Sequence, residues 1–161
     1  MTVAEYNQCV DKFADSVYRF ILKNMKDEDE ARDVVQEAYA KMWEKSRNIV
    51  FEKGRAYIFS AAYHTMIDRI RKSKRLSLTD EKVEYPAAEG PGYSDVSEVL
   101  HTALEKLPAI QKHVVLLRDY EGYKYEEIGE ITGLNESQVK VYIYRARKAL
   151  KTYLVSMDKV I

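Results

Sequence analysis

Apolar residues recur along most of this chain at intervals of three and four, which is the spacing of one face of an α-helix. The first run follows Thr2, and Glu5 three residues later completes a pattern typical of a helix N-terminus. A second run begins near Asp27, and a third extends from about Lys53 to Arg75. Alternating apolar runs and the tight turns of β-hairpins do not occur in the sequence. The pattern therefore predicts an all-α protein.

Residues 77–97 have a different character, because acidic and turn-forming residues replace the bulky apolar ones. The turn-forming residues are Pro86, Gly90, Pro91 and Gly92. Such a composition predicts a flexible linker. Helical spacing then resumes, with an interruption at Pro108. We therefore predict two small helical domains, residues 1–76 and residues 98–161, joined by the flexible linker.

The segment from Tyr125 to Lys151 has the pattern of two helices joined by a three-residue turn. Gly133 can end the first helix, and Asn135 with Gln138 three residues later can cap the second. Along the second helix the apolar residues share one face: Val139, Ile143, Ala146 and Leu150. The other side carries Ser137, Gln138, Lys140, Val141, Tyr144, Arg145 and Lys148. This layout is typical of a helix-turn-helix that reads the DNA major groove, and the alternative is an amphipathic hairpin with a solvated basic face.

The formal net charge is zero, but the charges are distributed in blocks. The segment from Lys140 to Lys151 holds five cations and no acid. The segment from Arg55 to Arg75 holds six cations and a single acid, Asp68. Acidic residues are concentrated between these segments. Two separate basic segments predict two surfaces that contact a polyanion.

Several classes of protein are disfavoured. Cys9 is the single cysteine, which excludes an internal disulfide and a multi-cysteine metal site. We see no signal peptide and no apolar run long enough for membrane insertion, so we expect a cytoplasmic protein. Cys9, His64 and His113 lie on separate predicted helices without a catalytic motif. We therefore expect no enzymatic activity, no metal and no cofactor.

Four segments resemble, in order, the conserved regions of bacterial RNA polymerase sigma factors. Asp29–Trp43 (DEARDVVQEAYAKMW) and Tyr57–Lys72 (YIFSAAYHTMIDRIRK) resemble two successive helices of region 2. Leu104–Leu116 (LEKLPAIQKHVVL) and Tyr125–Leu150 resemble the start of region 4 and its helix-turn-helix. Two regions separated by only a short linker resemble the extracytoplasmic-function (ECF) group of the sigma-70 family. The resemblance implies a transcription initiation factor that binds core RNA polymerase and directs it to specific promoters.

The resemblance also implies a role for each surface. Asp33, Gln36 and Glu37 would dock on the clamp helices of the largest polymerase subunit, and the alternative is a solvated acidic helix face. The following helix would bind the −10 promoter element and assist its melting through Tyr57, Tyr63, His64, Arg69, Arg71, Lys72 and Arg75. Packing beneath the helix is the alternative for Tyr57 and Phe59. The helix-turn-helix would read the −35 element.

Three positions depart from the family pattern. His64 stands where Asn is usual, Val141 replaces a common Ser, and Tyr142 replaces a common Arg. From its rotation along the helix we expect Tyr142 to be partly buried. The base preference at these contacts is therefore open.

The partners that the resemblance implies are promoter DNA, core RNA polymerase through its clamp helices and flap region, and an anti-sigma factor. The alternative function is a helix-turn-helix regulator that binds duplex DNA without being a polymerase subunit. Such regulators are usually symmetric dimers with a fixed spacing between half-sites. A flexible linker disfavours this alternative, because it would not hold that spacing.

Overall fold

A computed structural model describes residues 1–77 and 95–158, and every regular element in those ranges is helical. The prediction of an all-α protein is thereby confirmed. The chain divides into two compact units, Met1–Ala88 and Glu89–Ile161. Most of the predicted linker lies outside the described residues. At its two ends, the third helix includes Ser77 and the fourth begins at Asp95. The boundaries at residues 76 and 98 stay predictions.

The described part of the N-terminal unit contains three α-helices, each packed against the other two. They are α1 (Val3–Met25), α2 (Glu28–Glu44) and α3 (Gly54–Ser77). Thr2 and Glu5 form the predicted capping box at α1, and the side chain of Asp27 accepts a hydrogen bond from the backbone N–H of Glu30 at α2. The most deeply buried large side chains of this unit are Phe20, Ile21, Met42, Ile58, Phe59 and Met66. This core fixes which sides of α2 and α3 face outward.

The described part of the C-terminal unit contains four α-helices, and the last of them packs against each of the other three. They are α4 (Asp95–Glu105), α5 (Ala109–Val115), α6 (Tyr125–Thr132) and α7 (Glu136–Asp158). Pro108 stands at the N-cap position of α5, where the interruption in the pattern falls. A single π-helical turn, Leu116–Tyr120, continues α5.

The helix-turn-helix forms as predicted. Gly133 ends α6 with a φ of 81°, in the left-handed region where a residue without a Cβ is unstrained. The backbone N–H of Gln138 donates to Oδ1 of Asn135 at 2.8 Å, and the backbone N–H of Asn135 donates to Oε1 of Gln138 at 3.0 Å. This reciprocal cap satisfies donors at the start of α7 that would otherwise lack partners. It therefore defines where α7 begins.

Within the described residues, no helix is both long and apolar enough to cross a membrane.

A lysine and a histidine that follow each other in α5 are buried in the C-terminal unit. Nζ of Lys112 lies 2.6 Å from Oε1 of Glu105, an ion pair that joins α5 to α4. His113 is also buried. Burial, and secondarily the charge of Lys112, lowers the pKa of His113 from 6.5 to about 4. The folded state therefore favours a neutral imidazole.

This burial predicts a pH dependence of stability. Since the folded pKa is below the unfolded one, the free energy of unfolding should fall as the pH drops below about 6.5 and level off below about 4. The loss from this one group should be about 3 kcal/mol. Thermal unfolding of the wild type and of His113→Gln at several pH values measures it. An equal fall in both proteins over this window would contradict the assignment.

Candidate polymerase and nucleic-acid interfaces

One side of α7 is exposed along the length that was predicted to meet DNA. All of its predicted contact residues are exposed: Ser137, Gln138, Lys140, Val141, Tyr144, Arg145 and Lys148. Val141 is 44% exposed and Tyr144 is 67% exposed, which are high values for large side chains of these types. The opposite side is closed by the fully buried Val139 and Ala146 and by Ile143. The packing of α7 therefore leaves its basic and aromatic side available to a partner.

Two of these residues already have contacts within the chain. Nζ of Lys140 lies 3.3 Å from Oε1 of Glu136 and 5.6 Å from the centre of the Tyr125 ring. The ion pair is exposed and spans one helical turn, so it contributes only about 0.3–0.5 kcal/mol and a phosphate could displace it. Oε1 of Gln138 accepts the capping hydrogen bond from Asn135, which leaves its amide N–H groups as donors. Tyr142 is half-buried, as predicted.

The aromatic residues predicted on α3 are less accessible than their sequence positions suggested. Tyr63 is only 4% exposed, and burial raises its pKa to about 12. Its ring centre lies 6.5 Å from that of Phe20, within the core of the N-terminal unit. Tyr63 therefore cannot stack on a promoter base, and we correct that prediction. Phe59 is also buried, which agrees with its alternative interpretation, whereas Tyr57 is half-buried.

The polar residues predicted on α3 are accessible with one exception. His64, Arg71, Lys72 and Arg75 are exposed. Arg69 instead turns towards α2, where its Nη2 donates to Oε2 of Glu37 at 3.0 Å and its Nη1 lies 4.0 Å from Oδ2 of Asp33. Arg69 is thus a partner of the acidic residues of α2. A phosphate contact by Arg69 would have to compete with this pair, and it stays a prediction.

The acidic residues of α2 lie on its exposed side. Asp33, Gln36 and Glu37 are all exposed. Oε1 of Glu37 lies 3.4 Å from Nζ of Lys41, which in turn donates to Oγ1 of Thr65 on α3 at 3.1 Å. Hydrogen bonding to Arg69 is the main cause of a lowered pKa of Glu37. Glu37 is therefore held ionised and in place, while Asp33 and Gln36 extend the same surface.

The connection between α2 and α3 is a feature that sequence reasoning missed. It consists of two 3₁₀ turns, Ser46–Asn48 and Phe51–Lys53. Arg47 and Val50 are exposed in it, and it leads directly into α3. Short turns of this kind have no apolar period by which they could be recognised. The connection adds a cation and an apolar side chain to the accessible surface next to α3.

Comparisons with known proteins place both units in one family. Residues 9–76 match the family described as sigma-70 region 2, and residues 97–150 match sigma-70 region 4. The chain is 34% identical over 155 residues to the RNA polymerase sigma factor SigV of Bacillus subtilis (strain 168), covering 93% of this chain and 91% of that protein. It is 27% identical over 156 residues to the ECF RNA polymerase sigma factor SigM of the same organism, covering 94% of each.

Two solved structures share the fold. The sigma factor RpoE of Bartonella quintana, crystallised with the anti-sigma factor NepR, superposes with a TM-score of 0.79 at 24% identity, covering 94% of this chain and 98% of that one. CnrH, in complex with the cytosolic domain of CnrY, gives a TM-score of 0.68 at 22% identity, covering 94% of this chain and 88% of that one. The order of the two region matches and the identity to SigV over nearly the whole chain show that this protein belongs to the sigma-70 family of RNA polymerase sigma factors, in its ECF group.

Proposed function

We propose that this promoter-directing initiation factor of RNA polymerase divides its work between its two units. Residues 1–76 bind core polymerase and the −10 element and assist melting, and residues 98–161 read the −35 element. The observation that carries the proposal is the exposed side of α7, where basic, aromatic and apolar groups lie opposite a fully packed face. The family regions matched in each unit support the same division. A helix-turn-helix regulator that acts without polymerase is not favoured.

The −35 contacts follow from the chemistry of the exposed side of α7. Arg145 and Lys140 carry donors that suit the O6 and N7 acceptors of guanine, and Val141 can contact a thymine methyl group. Lys148 lies one turn beyond Tyr144, and we assign it to the phosphate backbone. The amide of Gln138 has its oxygen engaged in the helix cap. We therefore propose that Gln138 acts through its N–H groups on a base or phosphate acceptor, rather than by the bidentate reading of adenine.

The −10 contacts are proposed for the accessible residues of α3. Holding strands apart costs a few kcal/mol for each extruded base, and stacking on an aromatic ring returns about 1–3 kcal/mol. With Tyr63 and Phe59 buried, Tyr57 is the remaining aromatic candidate of the predicted set. His64 can both donate and accept a hydrogen bond at a base edge. Arg71, Lys72 and Arg75 would neutralise phosphates.

We propose that Asp33, Gln36 and Glu37 contact the clamp helices of core polymerase. The flap region of polymerase would contact the C-terminal unit of this chain. Because polymerase adds the nucleotides, we propose that the chain itself catalyses no covalent step. Its place of action would be the cytoplasm, where polymerase meets the chromosome. Since RpoE and CnrH were each solved as a complex with a second protein, NepR and CnrY, we also propose an anti-sigma factor for this chain.

Replacing Glu37 with Lys should abolish binding to core polymerase, because it places a cation on the proposed docking surface. The affinity of the free chain for DNA should not fall, because the change adds a cation and frees Arg69 from its carboxylate partner. Fluorescence anisotropy of the labelled chain with core polymerase, and of labelled DNA with the chain, measures the two affinities, and circular dichroism confirms that the variant is folded. Run-off transcription from promoters selected out of a library should be lost in parallel.

The matched control is Glu44→Lys, which reverses a charge at the exposed C-terminal end of the same helix. It should bind core polymerase as the wild type does. Because Glu37 is hydrogen-bonded within the chain, Gln36→Ala provides a second, milder test. Loss of polymerase and DNA binding together in folded variants would count against the proposed division.

Arg145→Ala and Lys148→Ala should have different effects on −35 recognition. If Arg145 reads a base, its loss should cost about 1–3 kcal/mol and relax preference at one promoter position. Loss of Lys148 should weaken binding to all sequences alike. Holoenzyme binding to a panel of single-base promoter variants measures both effects. Equal relaxation of preference at several positions by both changes would refute these assignments.

Arg69→Ala should leave the salt dependence of promoter binding unchanged, because its guanidinium is engaged by Glu37 and Asp33. Arg71→Ala, which removes an exposed cation from the same helix, should reduce the log–log slope by about 0.9. The affinity of holoenzyme for the promoter, measured at several salt concentrations, gives the slope for each variant. A reduced log–log salt slope in Arg69→Ala would show that Arg69 contacts DNA phosphates.

A further inference from the structure

An ion pair ties the recognition helix to the turn that precedes the helix-turn-helix. Oδ1 of Asp119 lies 2.6 Å from Nη2 of Arg147, and Oδ2 of Asp119 accepts from Nε of Arg147 at 3.1 Å. The two groups therefore meet side-on through two hydrogen bonds, the most directional form of this interaction. Neither residue was among the predicted DNA contacts. The pair joins the segment after α5 to the middle of α7.

The position of Asp119 results from the π-helical turn. The backbone N–H of Glu121 donates to the carbonyl oxygen of Leu116 at 3.1 Å, five residues back. Leu116 and Leu117 in the same turn are buried, which fixes the turn against the core. Such turns are uncommon and occur often at functional sites. Asp119 is thereby held on a rigid segment outside α7.

Arg147 lies at the edge of the surface proposed to meet DNA. At about 100° per residue, it is rotated by about 60° from Tyr144 and by only about 20° from Lys140. Its side chain is 49% exposed. An unpaired arginine in this position would be able to reach the phosphate backbone beside the groove. Its bidentate partner instead directs the guanidinium back towards the protein.

Arg118, the residue before Asp119, is also held by contacts within the chain. Nη1 of Arg118 donates to the carbonyl oxygen of Tyr123 at 2.8 Å, and its guanidinium carbon lies 4.5 Å from the centre of the Tyr125 ring. Lys140 approaches the same ring from α7. The π turn, the start of α6 and α7 are thus linked by polar contacts along one edge of the DNA-binding surface. These polar contacts restrain the rotation of α7 on a side other than its buried apolar face.

We propose that Asp119 withholds Arg147 from the DNA backbone and fixes the rotation of α7. This inference rests on the proposed reading of the −35 element by α7. Phosphate contacts add affinity for every sequence, whereas base contacts discriminate between sequences. By removing one cation from the backbone contacts, Asp119 lowers the affinity for all sequences alike, and by fixing the rotation of α7 it keeps the base contacts in the geometry that discriminates between sequences. Arg147 is accordingly a positioning residue and not a DNA contact.

The test compares holoenzymes that contain the wild type, Asp119→Ala and Asp119→Ala/Arg147→Gln. Each is titrated with a selected promoter and with the same DNA carrying a scrambled −35 element, at several salt concentrations. Asp119→Ala should bind the scrambled DNA about threefold or more tightly than the wild type. The log–log salt slope should steepen by about 0.9, because one phosphate contact is gained. The preference for the selected promoter should fall, because α7 is no longer held in the rotation at which its base contacts discriminate.

Two further variants distinguish this mechanism from a general effect of charge. The double variant should lose the gain on scrambled DNA, because the released cation is gone. Glu130→Ala removes an exposed carboxylate from α6 of the same unit without releasing an arginine, and should change neither slope nor preference. Asp119→Asn, which keeps the side-chain size, provides the same test if the alanine variant does not fold.

The inference is overturned if Asp119→Ala keeps the wild-type slope and preference, or if it loses affinity for both DNAs equally. Persistence of the gain in the double variant would also overturn it, because Arg147 could not then be its source. A wild-type holoenzyme with no preference for any −35 sequence would instead refute the proposed function itself.

Discussion

The packing of α7 against the rest of the C-terminal unit is the constraint on which promoter reading depends. Val139, Ile143 and Ala146 are buried along one side of the helix. Because successive residues are rotated by about 100°, a slip of one residue would bury part of the basic and aromatic side and expose the core. Burial of a valine or isoleucine contributes about 1.5–3 kcal/mol, so such a slip is strongly disfavoured. The apolar contacts thus decide which chemistry α7 presents, although the residues that make them are buried.

Features that depend on local sequence could be predicted. The helices follow from apolar spacing, the capping box at Thr2 and the cap at Asn135 follow from residues three positions apart, and the end of α6 follows from Gly133. The exposed side of α7 could also be predicted from the spacing of its apolar residues. Because those residues share one buried face, the opposite face points outward. All of these depend on contacts within one or two turns, where the sequence and the geometry are directly related.

Features that depend on how helices pack on one another could not be predicted from the sequence. Tyr63 has an amphipathic side chain, and only the packing of α3 near Phe20 decides that its ring is buried. The pairing of Arg69 with Glu37 requires that α2 and α3 lie side by side with a particular rotation. The contact of Asp119 with Arg147 requires in addition the extra residue of a π-helical turn. In both ion pairs, an arginine in a basic segment is engaged by an acid that is distant in sequence, so charge counting overstates the cations available to DNA.

The central claim is that the exposed side of α7 lies against the −35 element when the chain directs polymerase to a promoter. Site-specific photocrosslinking tests it most directly, with a photoreactive phenylalanine at position 144 of the chain in a holoenzyme–promoter complex. The account predicts crosslinks to bases of the −35 element that disappear when core polymerase is omitted or when that element is scrambled. Crosslinks from this position to polymerase or to the protein itself, with none to DNA, would contradict it.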